Sequence, residues 1–360
     1  MSSLFKSSWS PIGLDVGWRE VRAVQVIGGR RGAHIGAAAC IGRPTPGGEL
    51  TAQEMSRAMG ALRRQGFVGD RVVACVPMGK MLSGVLELPP RSSGAPLDVI
   101  ARQELARTAK KDQKDIEVEW WELPTGPGAS GRGGGTSVLA IGCAHADATA
   151  LLDCLEPEAG GGLDVLAIDA TPTALARACA GMLAAAPSMT AILNIGHEAA
   201  EILIVAGGSV VYERTLAEGG LRLLASGIAN QLSSDEEVTE YILRTYGCRP
   251  AREDDTDEAG ESRAMVGAHG DALANELLAS LNYASRRFDA GGGVGRLLLV
   301  GPGADIPGLS GRIGSRAGLE TLVARADALC PAAGIDAELL GPGSVLALGL
   351  ALHGTGGGAR

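Results

Sequence analysis

Two hairpins turned by glycine hold the residues whose types and spacing point to phosphate chemistry. Residues 12–17, Ile-Gly-Leu-Asp-Val-Gly, run into the apolar segment 21–26, and residues 192–196, Ile-Leu-Asn-Ile-Gly, run into 201–205. Each is an apolar strand, an acidic or amide residue, a tight glycine turn and a second apolar strand. They lie about half a chain apart, which marks an internal duplication. Turns of this kind can offer backbone N–H groups to phosphate oxygens. The hydroxyl residues that usually accompany them are missing: Trp18, Arg19 and Glu20 follow Gly17, while His197, Glu198 and Ala199 follow Gly196. With 54 glycines in the chain, short glycine patterns recur by chance, so only those flanked by strands carry weight.

The elements that must position these turns can be read from periodicity. A third apolar run spans 33–41, a turn cluster follows, and Thr51 with Glu54 makes a capping box for a helix bearing Met55, Met59 and Leu62 at helical spacing up to Gly66. Residues 72–77 form the next buried strand, which gives β-β-β-α-β. Residues 79–160 differ: a strand at 85–88, a helix from Pro96, an alternating strand at 116–120, a flexible loop at 125–136 and a strand at 138–143 read as a small α+β insertion. The chain returns through a strand at 165–169 and a helix capped by Thr171, with Leu175, Ala178 and Met182 inward.

The second half repeats the plan, with strands at 191–195, 200–205 and 210–215, then Glu218-Gly219-Gly220 and a helix to Leu232. Ser234 with Glu237 caps a further helix whose inner face is Val238, Tyr241 and Thr245. Residues 252–258 are an acidic solvated loop, and an amphipathic helix starts at Asp271 and buries Leu273, Leu277, Leu281 and Phe288. A strand at 296–300 meets Gly301-Pro302-Gly303, and residues 345–350 form a helix apolar on all sides, hence buried.

Composition narrows the function classes. At 360 residues and 46% apolar content the chain can build two cores, and its net charge of −9 argues against generic binding to nucleic acid or an anionic membrane. The first residues lack the apolar core of a secretion signal and no stretch reaches membrane-span length, which predicts a cytoplasmic protein. Seven dispersed cysteines with no Cys-x-x-Cys pair read as small buried hydrophobes. No Gly-x-Gly-x-x-Gly joins a strand to a helix, which excludes a dinucleotide enzyme of that type. Trp120 and Trp121 neighbour each other on a strand and so face opposite sides. Cys143-Ala144-His145 suggests a Cys/His pair, but a nucleophile there is improbable.

The order of these motifs resembles the actin-like superfold shared with heat-shock chaperones and sugar kinases, and within it the PilM family, FtsA-related assembly proteins of type IV pili. Residues 4–6 and 12–17, Val21-Arg22-Ala23-Val24, Ile168-Asp169, Glu218-Gly219-Gly220, 301–309 and 347–352 carry the resemblance. It implies an α/β fold of two duplicated actin-like (RNase H-like) domains, with a small α+β insertion in the first and a helical subdomain in the second. The corresponding bounds are a tail at 1–10, a first domain at 11–78 plus 162–188, the insertion at 79–161, a second domain at 189–232 plus 296–356, and the subdomain at 233–295.

It also implies a cleft for ATP with Mg²⁺, formed by Asp15, Gly17, Trp18, Arg19, Asp169, Asn194, Gly196, Gly219, Gly220, Glu240, Gly301 and Gly303, with Asp15 and Asp169 holding the metal. The chain departs from that pattern. Trp18 is bulky where a phosphate approaches, Asn194 replaces a carboxylate, Pro302 removes an N–H, and Leu243 stands where a lysine is expected. These departures predict weak or lost ATP binding and no hydrolysis. Backbone donors at Gly17, Gly196 and Gly303 remain, and Arg19 reads as an exposed turn residue. The implied role is a cytoplasmic scaffold, peripheral at the inner membrane. It would bind the cytoplasmic tail of a PilN-like membrane protein between the first domain and the insertion and link it to the assembly ATPase of a pilus or type II secretion-like machine. The alternative is an active ATPase or small-molecule kinase of the same superfold.

Overall fold

Alternating apolar residues build two sheets of the same design, described here from a computed structural model over residues 8–29, 32–124, 135–156, 163–184, 189–252, 255–288 and 293–354. The Leu4-Phe5-Lys6 motif, most of the 125–136 loop, and Glu253 and Asp254 lie outside the described residues. The first half comprises β1 (Ser8–Trp9), β2 (Ile12–Val16), β3 (Glu20–Gly29), β4 (Gly32–Gly42), α1 (Ala52–Arg64) and β5 (Arg71–Cys75). The insertion follows as β6 (Met81–Leu88), α2 (Leu97–Ala109), β7 (Ile116–Glu122) and β8 (Thr136–Ala144). Then α3 (His145–Leu155), β9 (Asp164–Asp169), α4 (Thr171–Ala178) and α5 (Ala180–Ala184) lead to the second half. That half contains β10 (Met189–Ile195), β11 (Ala200–Ala206), β12 (Ser209–Leu216), α6 (Leu221–Leu232), α7 (Glu236–Thr245) and α8 (Asp257–Phe288). It ends with β13 (Val294–Val300), α9 (Leu309–Ala317), β14 (Glu320–Val323), α10 (Ala326–Leu329) and α11 (Val345–Ala351).

The first sheet runs β4-β3-β2-β5-β9, with β1 beside the far end of β3, and the second runs β12-β11-β10-β13-β14. In both, the first three strands are antiparallel and the last two join in parallel. The duplication expected from two hairpins is therefore a duplication of whole sheets. Residues 8 and 9 of the expected tail belong to the first sheet.

The insertion is an antiparallel sheet, β6-β8-β7, with α2 on one face around Leu88, Leu105 and Val138. Trp120 joins this small core and its Nε1 donates to Asp98 at 2.9 Å, while Trp121 faces the other way and donates to the Val210 carbonyl of β12 at 2.7 Å. Ser83 also donates to Glu213, and Arg287 pairs with Glu87. Although the first half carries the insertion in sequence, the insertion docks on the second half. It closes before α3, whose Leu151 and Leu155 pack with Met55 and Met59 in the first-half core, so the bound at 161 falls one helix too late.

Several helix ends differ from expectation, each for a local reason. The α4 cap is Ala170 and Thr171 is the first helical residue, while Asp169 just before them accepts from the Ala170 N–H at 2.8 Å and the Thr173 hydroxyl at 2.7 Å. At α7 the cap is Asp235, which accepts from the Val238 N–H at 2.8 Å. The helix is then phased so that Thr239, Ile242 and Leu243 are buried and Tyr241 is 62% exposed. Helix α8 begins at Asp257, not Asp271, and its first turns bury only small residues and Val266, which left no strong apolar period to read.

The buried α11 lies in backbone contact with the first half. A Cβ on Gly13 would fall 2.0 Å from the Ala347 carbonyl, and one on Gly349 would fall 2.0 Å from the Ala174 carbonyl of α4. Overpacking against unyielding backbone costs about 1–3 kcal/mol, and we expect Gly13→Ala at the upper end of that range by urea denaturation. Gly260→Ala, which meets nothing within 4 Å on α8, should instead gain about 0.5–1 kcal/mol from helix propensity. Equal effects of the two substitutions would contradict the packing described.

Candidate functional site

The carboxyl ends of β2 and β10 bring the two hairpins face to face across a cavity of only about 90 Å³. Asp15, Gly17, Trp18, Asn194, Gly196 and Gly301 from the expected set line it, together with Arg22, Thr171, His197 and Gly343. Pockets that hold small molecules typically measure about 300–1,000 Å³. The turn donors are engaged within the protein: the Gly17 N–H donates to the Glu20 carbonyl at 2.9 Å, Gly196 to Ala199 at 3.0 Å and Gly301 to Pro342 at 2.9 Å. Gly303 lies outside the lining and packs on Ile195, where its Cβ would fall 2.3 Å from a side-chain carbon.

Three side chains of the first hairpin close the space. Trp18 folds onto the turn at Gly47, where a Cβ would fall 2.1 Å from its Nε1, and Arg43 braces this arrangement by bonding Glu54 at 2.7 Å and the Gly17 carbonyl at 3.2 Å. Arg22 sits opposite Asp15 in the β2–β3 ladder, pairs with Glu20, and lies so close to Gly343 that a Cβ there would come 3.0 Å from its Cζ. The sequence reading marked it only within the Val21-Arg22-Ala23-Val24 motif and not as a cleft residue, because its alternation on β3 looked like that of any strand residue. Arg19 is not a free turn arginine. It spans the cleft to α7, 3.0 Å from Glu236 and 3.1 Å from Glu240. Two residues expected around a nucleotide thus contact each other, with Arg244 on Glu240 at 2.6 Å completing the chain.

The two carboxylates expected to share a metal are turned apart. Asp15 is in the cavity, where burial raises its pKa to about 6 against the lowering effect of Arg22. Asp169 faces a different groove and is held by Arg177 at 2.8 Å, His353 Nδ1 at 3.1 Å and the α4 cap bonds. Burial opposes its ionisation, but these partners keep its pKa lowered. Among the described residues no cluster of three His, Cys, Asp or Glu side chains could hold a metal. Gly219 and Gly220 also stand away from the cavity. Gly220 lets the second hairpin sit on α6, whose Leu221 and Arg222 N–H groups donate to the Gly196 and His197 carbonyls at 3.0 and 2.8 Å. As arranged, these residues do not fit ATP with Mg²⁺.

Beneath Asn194, directly opposite in the β10–β11 ladder, Glu201 is 0% exposed and neither of its carboxyl oxygens has a hydrogen-bond partner among the described residues. On the same sheet face, Glu213 accepts from Ser83 and from Thr215 at 2.9 Å. Burial, and next the proximity of Glu213, push the Glu201 pKa well up. An aspartate at 194 would face this buried carboxyl, which gives a physical reason for the amide found there.

The larger concavity is a groove of about 1670 Å³ between the insertion, α4–α5 and the β11–β12 turn. Trp121, Ala180, Leu183 and Val210 supply apolar walls, and Thr190 Oγ1 is buried there with no partner among the described residues. One rim is β7, which among the described residues pairs only with β8 and carries Glu117, Glu119 and Glu122.

No family model matches the chain, and no curated protein does. Solved structures do. The protein in a PilM-PilN type IV pilus biogenesis complex superposes with a TM-score of 0.76 at 21% identity, covering 97% of this chain and 99% of that one. Ethanolamine utilization protein EutJ from Carboxydothermus hydrogenoformans gives 0.56 at 16% identity, covering 97% and 91%. MreB 5 of Spiroplasma citri bound to AMPPNP gives 0.50 at 10%, covering 96% and 95%. The fold is therefore the α/β, two-domain actin-like fold that the motif order implied.

Glu201 generates a pH prediction. Its folded pKa lies above the unfolded value of 4.5, so its stabilising effect is full below pH 4.5 and is lost as pH rises toward the folded value, with a slope of up to about 1.4 kcal/mol per pH unit for one proton. Urea denaturation should show Glu201→Gln more stable than wild type at pH 8 and no more stable at pH 4.5. A variant less stable at both would mean that Glu201 is paired and ionised.

Proposed function

We propose that this chain is an actin-like scaffold of a type IV pilus or type II secretion-like assembly machine, and that it works through its groove, not its cleft. The contrast between a groove of about 1670 Å³ and a cleft of about 90 Å³ carries this reading. The partner is the cytoplasmic tail of a PilN-like inner-membrane protein, and through it the chain links to the assembly ATPase. An extended tail can add to the edge of β7 while its apolar side chains meet Trp121, Leu183 and Val210, a known mode of peptide recognition. The groove draws on the first half, the insertion and the second half, so a bound tail fixes all three together. The likeness to the protein in the PilM-PilN complex supports the choice of partner.

Association with the inner membrane then comes from the partner. No helix among the described residues is long and apolar enough to cross a membrane. The negative net charge is unsuited to nucleic acid. An active ATPase or kinase needs a complete set of metal carboxylates and room for the phosphates, and the placement of Arg22 and Asp169 argues against both.

Two outcomes follow. Ala180→Trp, on the exposed groove wall, should weaken capture of a PilN-like cytoplasmic tail at least tenfold in a pull-down while leaving the melting temperature unchanged; undiminished capture would remove the groove from the account. Purified protein with ATP and Mg²⁺ should release phosphate no faster than buffer, and a turnover abolished by Asp15→Ala would favour the enzyme reading instead.

A further inference from the structure

The two hairpins face each other across the small cavity. In this chain the first hairpin supplies two guanidinium groups at that place. Arg22 occupies the interior: it is opposite Asp15, paired with Glu20, and packed against Gly343, in the turn that leads into α11. Arg19, in the turn of the same hairpin, reaches Glu236 and Glu240 on α7. One cation therefore sits beside the carboxylates of its own hairpin, and the other ties that hairpin to the second half.

We propose that Arg22 and Arg19 act as a built-in substitute for a bound ligand and hold the cleft shut without nucleotide. The positive charge that a metal would bring is already present on Arg22, which lies opposite the cavity carboxylate Asp15 in the β2–β3 ladder. A guanidinium is a suitable group for this task, because it is always charged and its planar fork can satisfy more than one carboxylate. The surroundings agree: Arg22 opposes the rise in the Asp15 pKa and, after burial, contributes to pushing that of His197 down to about 4, so the imidazole beside it stays neutral. The Arg19 pair is half in solvent, with Arg19 25% and Glu236 64% exposed, so it alone would be a weak tie. The interior group must carry most of the effect.

The inference rests on the reading of this cleft as no working nucleotide site, and the test separates the two. Amide hydrogen exchange is followed in the full chain at the turns 17–20 and 196–199, for wild type, Arg22→Ser, Arg19→Ser and the double variant, with and without ATP and Mg²⁺. Wild type should show slow exchange that nucleotide does not change. Arg22→Ser and the double variant should exchange at least tenfold faster at both turns, and Arg19→Ser should show a smaller increase. Arg22→Lys, which keeps a cation of similar reach, should lie between wild type and serine, and it provides the readout if the serine variants fold poorly. Exchange unchanged in Arg22→Ser and in Arg22→Lys would overturn the inference and leave the scaffold reading intact. Wild-type turns that slow further with ATP and Mg²⁺ would overturn both.

Discussion

The backbone contact of α11 with the first half is the constraint on which the rest depends. The chain leaves the first half through α4 and α5, builds the second sheet, and comes back in α11, which lies against Gly13 of β2 and, through Gly349, against Ala174 of α4. Neither contact leaves space for a methyl group. A small shift of α11 would therefore move β2, and with it the turn carrying Trp18 and Arg19 and the start of β3 carrying Arg22. This packing fixes where the base of the first hairpin lies relative to the second half, and the side chains of the hairpin then act within that frame.

From that placement both concavities follow. The cleft is narrow because the hairpins meet with large side chains between them, and the N–H groups of its glycine turns find partners within the protein. The groove is wide because the insertion leans away from the first half to reach β12, where Trp121, Ser83 and Arg287 tie it down. An element that crosses from one half to the other in this way is a natural platform for a partner, since anything bound under it touches all the parts that could move.

Much of the fold was legible in the sequence. The succession of strands along each half followed from the spacing of short apolar runs and glycine turns, and the buried α11 from an unbroken apolar segment. What the sequence hid has physical causes. The start of α8 carries glycines, alanines and serine on its buried face, so no apolar period announced it. The phase of α7 depended on which of two neighbouring residues, Ser234 or Asp235, supplied the cap. For the site, the sequence pattern located Asp15 and Asn194 near strand ends and Trp18 in the turn that follows, but could not tell that Asp169 would turn to Arg177, since both options use the same strand end. The partner of Arg19 lies more than 200 positions away, and the cross-strand relation of Asn194 to Glu201 appears only once the register is known.

The most direct test of the account is a crystal structure of the full chain grown with a PilN-like cytoplasmic peptide and ATP with Mg²⁺ both present. The account predicts peptide density along β7 in the groove, Arg22 still beside Asp15, and no nucleotide between the hairpins. Nucleotide bound there with Arg22 displaced, and the groove empty, would contradict it.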